Sequence, residues 1–269
     1  MAYSGRIFDI HTHFYPDDIA EYVLGRYRMK TTIACAGTKS ATLEQEKAAG
    51  IARFNVLPVA TTPSADSTNA FAVASADHTV TAFGTVHPQA PAPEAVMERF
   101  ARQGLRGVKI HPQFQSTDID SEAYKPIFRA AAACGLPVLF HAGLDSVIGG
   151  PVRAMPEAIS RLLDWAEAVP GLVLIAAHMG GMSCFDDVEK YIVGRRIYLD
   201  TALVAGTLPR EQYRRIIEHH GYGQILFGSD CPWQSPAAAL SEFRALELDD
   251  AAERAILWDN AASLLRLPD

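Results

Sequence analysis

The chain has 269 residues, of which 49% are hydrophobic and 20% charged, enough apolar sequence to bury the core of one large domain or two small ones. Its net charge of −7 comes without a basic run, so nucleic acid is not expected as a partner. No apolar run reaches the length of a membrane span, and the N-terminal residues lack a secretion signal pattern. The scattered cysteines predict a protein of the reducing cytoplasm.

Short apolar runs alternate with helical patterns along the sequence. Runs of strand character lie at about 6–11, 52–59, 80–86, 105–110, 137–141, 172–178, 197–201 and 224–230. Several are apolar almost throughout, as is typical of parallel strands covered on both faces. Helical patterns, with apolar residues three and four positions apart, begin near Glu94, Ser121, Pro156 and Pro209.

Eight strand-helix units in about 250 residues predict an α/β fold, a single (β/α)₈ TIM barrel over residues 1–269. A doubly wound open sheet is the alternative, but it usually has a glycine-rich loop after its first strand, where this chain has His-Thr-His-Phe-Tyr. A long loop, 14–40, follows strand 1, and loops of that length are often functional. Its tyrosines, together with Arg26, Arg28 and Lys30, indicate a flap that meets an anionic, partly planar substrate, and a loop whose charges face water is the alternative.

Histidines gather at the ends of the predicted strands. His11 and His13 lie two residues apart, so their imidazoles point to one face of the first strand, and neutral imidazole is the commonest side-chain metal ligand. Later strands end in His87, His111, His141, His178 and Asp230. Because barrel active sites lie at the carboxyl ends of the strands, these residues mark the predicted active-site face, and His141, His178 and Asp230 are residue types suited to the same metal site as His11 and His13. In a closed barrel the eighth strand, which ends in Asp230, lies beside the first.

The set His11, His13, His141, His178 and Asp230, in this order along the chain, resembles the metal-site pattern of the amidohydrolase superfamily. The surrounding sequence resembles the amidohydrolase-2 branch of that superfamily. That branch includes metal-dependent hydrolases and enzymes of the aminocarboxymuconate-semialdehyde decarboxylase type. The resemblance runs from residue 6 to about residue 266. The matching segments are Asp9-Ile10-His11-Thr12-His13, Gly107-Val108-Lys109-Ile110-His111-Pro112, Ala177-His178-Met179-Gly180-Gly181, Leu226-Phe227-Gly228-Ser229-Asp230-Cys231-Pro232-Trp233 and Asn260-Ala261-Ala262.

The resemblance implies a single divalent ion, with zinc as the expected metal, held by His11, His13, His141 and Asp230. It also implies that His178 donates or accepts a proton beside the metal, and that Asp230 orients the metal-bound water or takes a proton from it. A set of three or four nitrogen and oxygen ligands with an open position suits catalytic zinc.

Four further residues are predicted to bind substrate: Lys109, His111, Arg26 and Trp233. Lys109 ends the fourth predicted strand, where some superfamily members have a carboxylated lysine that bridges two metals. We expect a cationic Lys109 facing a substrate anion, because this branch resembles the type with one metal, and a structural ion pair is the alternative. His111 has the same strand parity as Lys109, so its side chain is expected on the same face.

The sequence favours a metal-dependent hydrolase, in which activated water attacks an ester, lactone or amide carbon of a small, anionic substrate. The alternative is a non-oxidative decarboxylase of an unsaturated or aromatic carboxylic acid. A metal-binding barrel without turnover is a third hypothesis, and the complete set of ligand types counts against it. The sequence leaves the oligomeric state open, with a homodimer among the alternatives.

Overall fold

The apolar runs form short parallel strands and the amphipathic runs form helices, in a computed structural model that describes residues 3–145 and 148–267. The chain divides into two compact units. The first contains residues 3–57, 75–81 and 200–267, and the second contains residues 58–74, 82–145 and 148–199. That the chain is a single domain stays a prediction.

The first unit is built on strands β1 and β2, which pair in parallel with Phe8 opposite Arg53. Its elements are β1 (Phe8–Thr12), α1 (Asp17–Gly25), α2 (Lys39–Ala48), β2 (Arg53–Val56), the first residues of β3 (Val80–Ala82), α8 (Arg210–His220), β9 (Ile225–Leu226), α9 (Pro236–Arg244), α10 (Asp250–Arg254) and α11 (Asn260–Leu265). The main chain after β9 continues beside β1, where the Ile10 amide donates to the Phe227 carbonyl at 2.9 Å. This pairing places the residues that follow both strands side by side.

The second unit is a run of parallel strands in the order of the sequence, each followed by a helix. Its elements are α3 (Asp66–Ser75) except for Ser75, β4 (Gly84–Thr85), α4 (Pro93–Arg102), β5 (Val108–Ile110), α5 (Lys125–Ala133), β6 (Val138–Phe140), α6 (Pro156–Ala166), β7 (Leu174–Ala176), α7 (Phe185–Tyr191) and β8 (Tyr198–Asp200) except for Asp200. The strand order is β4-β5-β6-β7-β8, and all four pairings are parallel. Residues 108–110, 138–140 and 174–176 are buried throughout, as predicted for strands covered on both faces.

Every predicted strand overlaps an observed one, but the third divides in two. β3 pairs with β2 in the first unit, and β4 pairs with β5 in the second. The described residues therefore form nine strands where eight were predicted. The long connection after β1 also holds α1, so its residues are not irregular throughout. Among the residues that the structure describes, no helix has the length and apolar composition needed to cross a bilayer.

Glu46 is a buried carboxylic acid on the inner face of α2. It is 1% exposed, and neither carboxyl oxygen has a hydrogen-bond partner within residues 3–145 and 148–267. Burial, followed by the nearby Asp9 and Cys35, holds the pKa of this carboxyl well above its ordinary value of 4.5. The folded protein therefore keeps a proton that the unfolded chain releases above about pH 4.5.

We expect Glu46→Gln to reduce the loss of stability that the wild type suffers as pH rises from 5 to 8. Because the folded pKa lies above the unfolded one, the free energy of unfolding falls as pH rises through this range, and glutamine does not titrate. The measurement is the melting temperature at several pH values between 5 and 8. The melting temperature of the variant minus that of the wild type should increase as pH rises. Glu44→Gln makes the same change at an exposed position of α2. Parallel pH profiles for all three proteins would contradict the prediction.

Candidate metal centre

Three side chains of the first unit direct nitrogen and oxygen atoms to one buried point. His11 lies within β1, His13 follows it, and Asp230 follows β9. The Nε2 atoms of the two histidines are 3.2 Å apart. Asp230 Oδ1 lies 3.1 Å from Nε2 of His13 and 3.4 Å from Nε2 of His11. The parity of the strand therefore brings the two imidazoles together as predicted.

The main chain fixes Asp230 against β1. The Asp230 amide donates to the His11 carbonyl at 2.8 Å, and the His13 amide donates to the Cys231 carbonyl at 2.6 Å. Asp230 has φ 69°, in the left-handed region that favours glycine, asparagine and aspartate. At Gly228 an added Cβ would lie 2.9 Å from Cβ of His11, so only glycine permits this close approach of the two segments.

The other nitrogen of each imidazole already has an acceptor. His13 Nδ1 lies 2.7 Å from the Leu57 carbonyl oxygen, which can only accept, so Nδ1 donates. His11 Nδ1 lies 2.8 Å from Oδ2 of the buried Asp200 and donates to that carboxylate. When such a ring is neutral, its lone pair lies on Nε2, the atom close to Oδ1 of Asp230. Two lone pairs and a carboxylate at one point form a site for a cation.

The separations in this triad fit a divalent ion. Nitrogen and oxygen ligands about 2.0–2.2 Å from a metal lie roughly 3.0–3.5 Å from one another in tetrahedral or octahedral sites. The three separations here are 3.1, 3.2 and 3.4 Å. The donor set therefore fits the metal that the resemblance implies.

Asp9 supports the triad from the main-chain side. This fully buried carboxylate accepts from the His11 amide at 2.9 Å and from the Ser229 amide at 3.1 Å. Burial raises the pKa of Asp9 to about 7, against the opposing effect of these hydrogen bonds. The carboxylate joins β1 to the segment before Asp230, which fixes the spacing of the ligand atoms.

The second unit brings three further histidines together after β5, β6 and β7. His178 Nε2 lies 3.0 Å from His141 Nδ1, and the rings of His111 and His141 stack with centroids 4.4 Å apart. His111 Nε2 also lies 3.7 Å from Oδ2 of Asp145. His178 has φ 58°, an uncommon conformation for a residue other than glycine. Such local strain is often found at functional sites.

Gln115 holds the main chain around the second cluster. Its Nε2 donates to the carbonyls of Ala60 and Val86 at 3.1 and 2.9 Å. Its Oε1 accepts from the Tyr124 hydroxyl at 2.7 Å and from the His111 amide at 3.3 Å. All four bonds are buried, so the position of His111 is set by a side chain that sequence reasoning did not identify.

Besides His111, the three other predicted substrate-binding residues lie in different surroundings. Lys109 is 1% exposed within β5 and is buried as completely as the apolar residues beside it. Trp233 is half-buried, and its ring meets that of Tyr27 edge to face at 5.6 Å. Arg26 is exposed, with its guanidinium 5.9 Å from the ring centroid of Tyr22. Their roles in substrate binding stay predictions, as does the carboxylation state of Lys109.

Sequence reasoning missed Asp200 as the partner of His11. A signal was present, because Asp200 stands near the end of a predicted strand, as Asp230 does. The rule that selected the histidines also selects polar residues at strand ends. Leu57 could not be found in this way, since its contribution to His13 is a main-chain carbonyl.

Comparison with known proteins gives a match to a family model and to solved structures. The model of the Amidohydrolase family matches residues 8–267. No curated protein matches the chain. Among solved structures, a TIM-barrel protein from Bordetella bronchiseptica superposes with a TM-score of 0.75 and 18% identity, covering 98% of this chain and 99% of that chain.

Two enzyme structures are similar over the same length. A dihydroxybenzoic acid decarboxylase from a Polaromonas species, with bound manganese and 2-nitroresorcinol, has a TM-score of 0.73 and 17% identity, covering 98% of this chain and 97% of its own. A protein assigned as a 2-pyrone-4,6-dicarboxylic acid hydrolase from Pseudomonas putida has a TM-score of 0.72 and 18% identity, covering 98% of both chains. Several other similar structures are decarboxylases. These likenesses confirm the predicted α/β-barrel fold.

Proposed function

Because the chain belongs to the amidohydrolase family, we propose that it is an enzyme whose divalent ion is held by His11, His13 and Asp230. One observation supports this placement above all. Two Nε2 atoms and a carboxylate oxygen lie within 3.4 Å of one another, and both imidazoles already donate through Nδ1. When bound, such an ion polarises a substrate oxygen and lowers the pKa of a bound water to about 7.

His141 and His178 complete the proposed machinery. As the resemblance implies, we propose His141 as a fourth ligand of the same ion and His178 as the residue that transfers a proton. The hydrogen bond between His141 Nδ1 and His178 Nε2 supports these roles. If Nδ1 of His141 donates, then its Nε2 keeps a lone pair for a metal, and His178 has its own proton on Nδ1.

We propose decarboxylation of an aromatic or unsaturated carboxylic acid as the reaction, in place of the hydrolysis that the sequence favoured. In this reaction the bond between carbon and carboxylate breaks, CO₂ leaves, and a proton from His178 adds to the same carbon. His178 is buried, and a proton taken up from water restores it after each turnover. The prevalence of decarboxylases among the similar structures supports the proposal.

Hydrolysis is the second candidate, and one comparison favours it. The similar structure from Pseudomonas putida is assigned as a hydrolase of 2-pyrone-4,6-dicarboxylic acid. In that reaction Asp230 would take a proton from the attacking water. Both candidate substrate classes are anionic and planar, and we propose that Lys109, which is buried in β5, is cationic and faces the anion.

The identity of the ion is a separate part of the proposal. The sequence alone suggested zinc, whereas similar decarboxylase structures contain manganese. Imidazole and carboxylate ligands accept both metals. We therefore propose manganese for a decarboxylase, to be tested by reconstituting the metal-free protein with each ion and comparing turnover.

Isotopes from solvent distinguish the two reactions. The manganese-loaded protein is incubated with 2,6-dihydroxybenzoate, 5-carboxyvanillate and 2-pyrone-4,6-dicarboxylate, in D₂O and separately in ¹⁸O-labelled water. Decarboxylation is expected to leave deuterium on the carbon that loses CO₂, with no ¹⁸O in the organic product. Incorporation of ¹⁸O into a new carboxylate, without release of CO₂, would replace decarboxylation by hydrolysis.

Two controls make the label experiment specific. The metal-free protein gives the background exchange of deuterium into each phenolic ring. His178→Gln keeps a polar side chain of similar size but cannot transfer a proton, so we expect it to lose deuterium incorporation together with CO₂ release. Full activity of this variant would assign the proton transfer to another group.

A further inference from the structure

Two cysteines that are distant in the sequence meet next to the proposed metal ligands. Cys35 lies in the segment between α1 and α2, and Cys231 directly follows Asp230. Their Sγ atoms are 3.9 Å apart. Cys231 is fully buried and Cys35 is half-buried. Neither thiol is a ligand in the proposed metal site.

Main-chain hydrogen bonds hold these cysteines in place to different degrees. The Cys231 amide donates to Ser229 Oγ at 3.0 Å, and its carbonyl accepts from the His13 amide at 2.6 Å. Cys35 itself is tied less directly, since the Ala34 amide donates to the Pro232 carbonyl at 2.7 Å. If the two sulfur atoms approach each other, we therefore expect the segment around Cys35 to move and Cys231 to stay in place.

The surroundings of Cys35 favour a reactive thiolate that small oxidants can reach. Cys35 lines an open cavity of about 770 Å³, together with Glu21, Arg28 and Lys30. A hydrogen bond from the Cys231 thiol, with smaller effects from Gly37 and Thr42, lowers the pKa of Cys35 to about 6, against the opposing effect of burial. A thiolate of low pKa that is accessible to solvent is the form that peroxides oxidise.

We propose that Cys35 and Cys231 are a redox pair that a peroxide converts reversibly to a disulfide. The Cys35 thiolate attacks one oxygen of hydrogen peroxide, which breaks the O–O bond and releases hydroxide, leaving a sulfenic acid. The Cys231 sulfur then attacks Cys35 Sγ and displaces the second hydroxide. The protons of the two thiols leave with these hydroxides as two molecules of water, and a dithiol reductant restores the pair.

The disulfide has a structural consequence that does not depend on the proposed reaction. The sulfur atoms must approach from 3.9 Å to about 2.05 Å. Because the main chain of Cys231 is held by hydrogen bonds to Ser229 and to His13, we expect the segment around Cys35 to make this movement. The bond would hold that segment against the residue that follows Asp230, so we expect slower amide exchange at residues 34–38 in the oxidised protein.

Peroxide treatment of the metal-loaded protein, followed by peptide mapping without reduction, tests the proposal. Trypsin places Cys35 in peptide 31–39 and Cys231 in peptide 216–244. We expect these peptides joined, lighter than their sum by two hydrogen atoms, and separated again by dithiothreitol. The four thiols of the wild type should fall to two. Sulfinic acid on Cys35 without the joined peptide would overturn the proposal.

Variants give a second readout of the same pair. Cys35→Ser should keep its three remaining thiols under peroxide, whereas the control Cys134→Ser should fall from three to one. Cys134 is a partly exposed cysteine at the end of α5. Equal thiol loss in the two variants would also overturn the proposal. Because the joined peptide is sought in the wild type, the result does not depend on how well either variant folds.

Discussion

Asp230→Asn is expected to lower kcat in the proposed decarboxylation, because the ion loses its charged ligand, and by about 10²–10⁴-fold in hydrolysis, where a general base is lost as well. Asparagine has nearly the same volume and tolerates the left-handed φ of 69° at this position, so the fold should be kept. The substitution removes the negative charge that lies 3.1 and 3.4 Å from the two imidazole nitrogens. Steady-state kinetics on the substrate found in the isotope panel measure the loss.

Metal content and a matched variant separate the possible causes of that loss. We expect Asp230→Asn to retain less metal than the wild type after dialysis, since a carboxylate ligand becomes a neutral amide. Asp66→Asn makes the same change at an exposed residue that pairs with Arg99. This variant should have the kcat and the metal content of the wild type. A near-normal kcat in Asp230→Asn would restrict Asp230 to a structural role.

Asp200→Asn is expected to weaken metal binding by about 10–100-fold, although Asp200 is not a ligand in the proposed site. Its Oδ2 accepts from Nδ1 of His11 at 2.8 Å, and its Oδ1 accepts from the Ala202 amide at 3.1 Å. The carboxylate therefore fixes the ring orientation and increases the basicity of Nε2. An amide can still accept one hydrogen bond but lacks the charge. Competition with a chromophoric chelator measures the affinity.

Asp9→Asn is the control that distinguishes a positioning role of Asp200 from a purely structural one. Asp9 is also buried beside His11, but it accepts from main-chain amides and not from the imidazole. Of the two variants, we expect Asp9→Asn to have the lower melting temperature and Asp200→Asn to have the lower metal affinity. Wild-type metal affinity in Asp200→Asn would exclude the positioning role.

Local patterns in the sequence were sufficient to predict the strands and the first ligands. Alternation along a strand fixes the side to which residues point, so His11 and His13 could be paired from their spacing alone. Apolar runs also located the strands, because burial on both faces requires apolar side chains at successive positions. The division of 80–86 was not predictable, since its two halves pair with different neighbours, β2 and β5.

The residue types at the strand ends could be identified from the amino-acid sequence, because strand patterns depend on neighbours a few positions away. The hydrogen bonds that direct each imidazole could be found only in the folded chain: Asp200 lies 189 positions from His11, and Leu57 lies 44 positions from His13. The contact between Cys35 and Cys231 spans 196 positions. Such partners are set by the packing of strands and loops against one another, and no local periodicity in the chain encodes them.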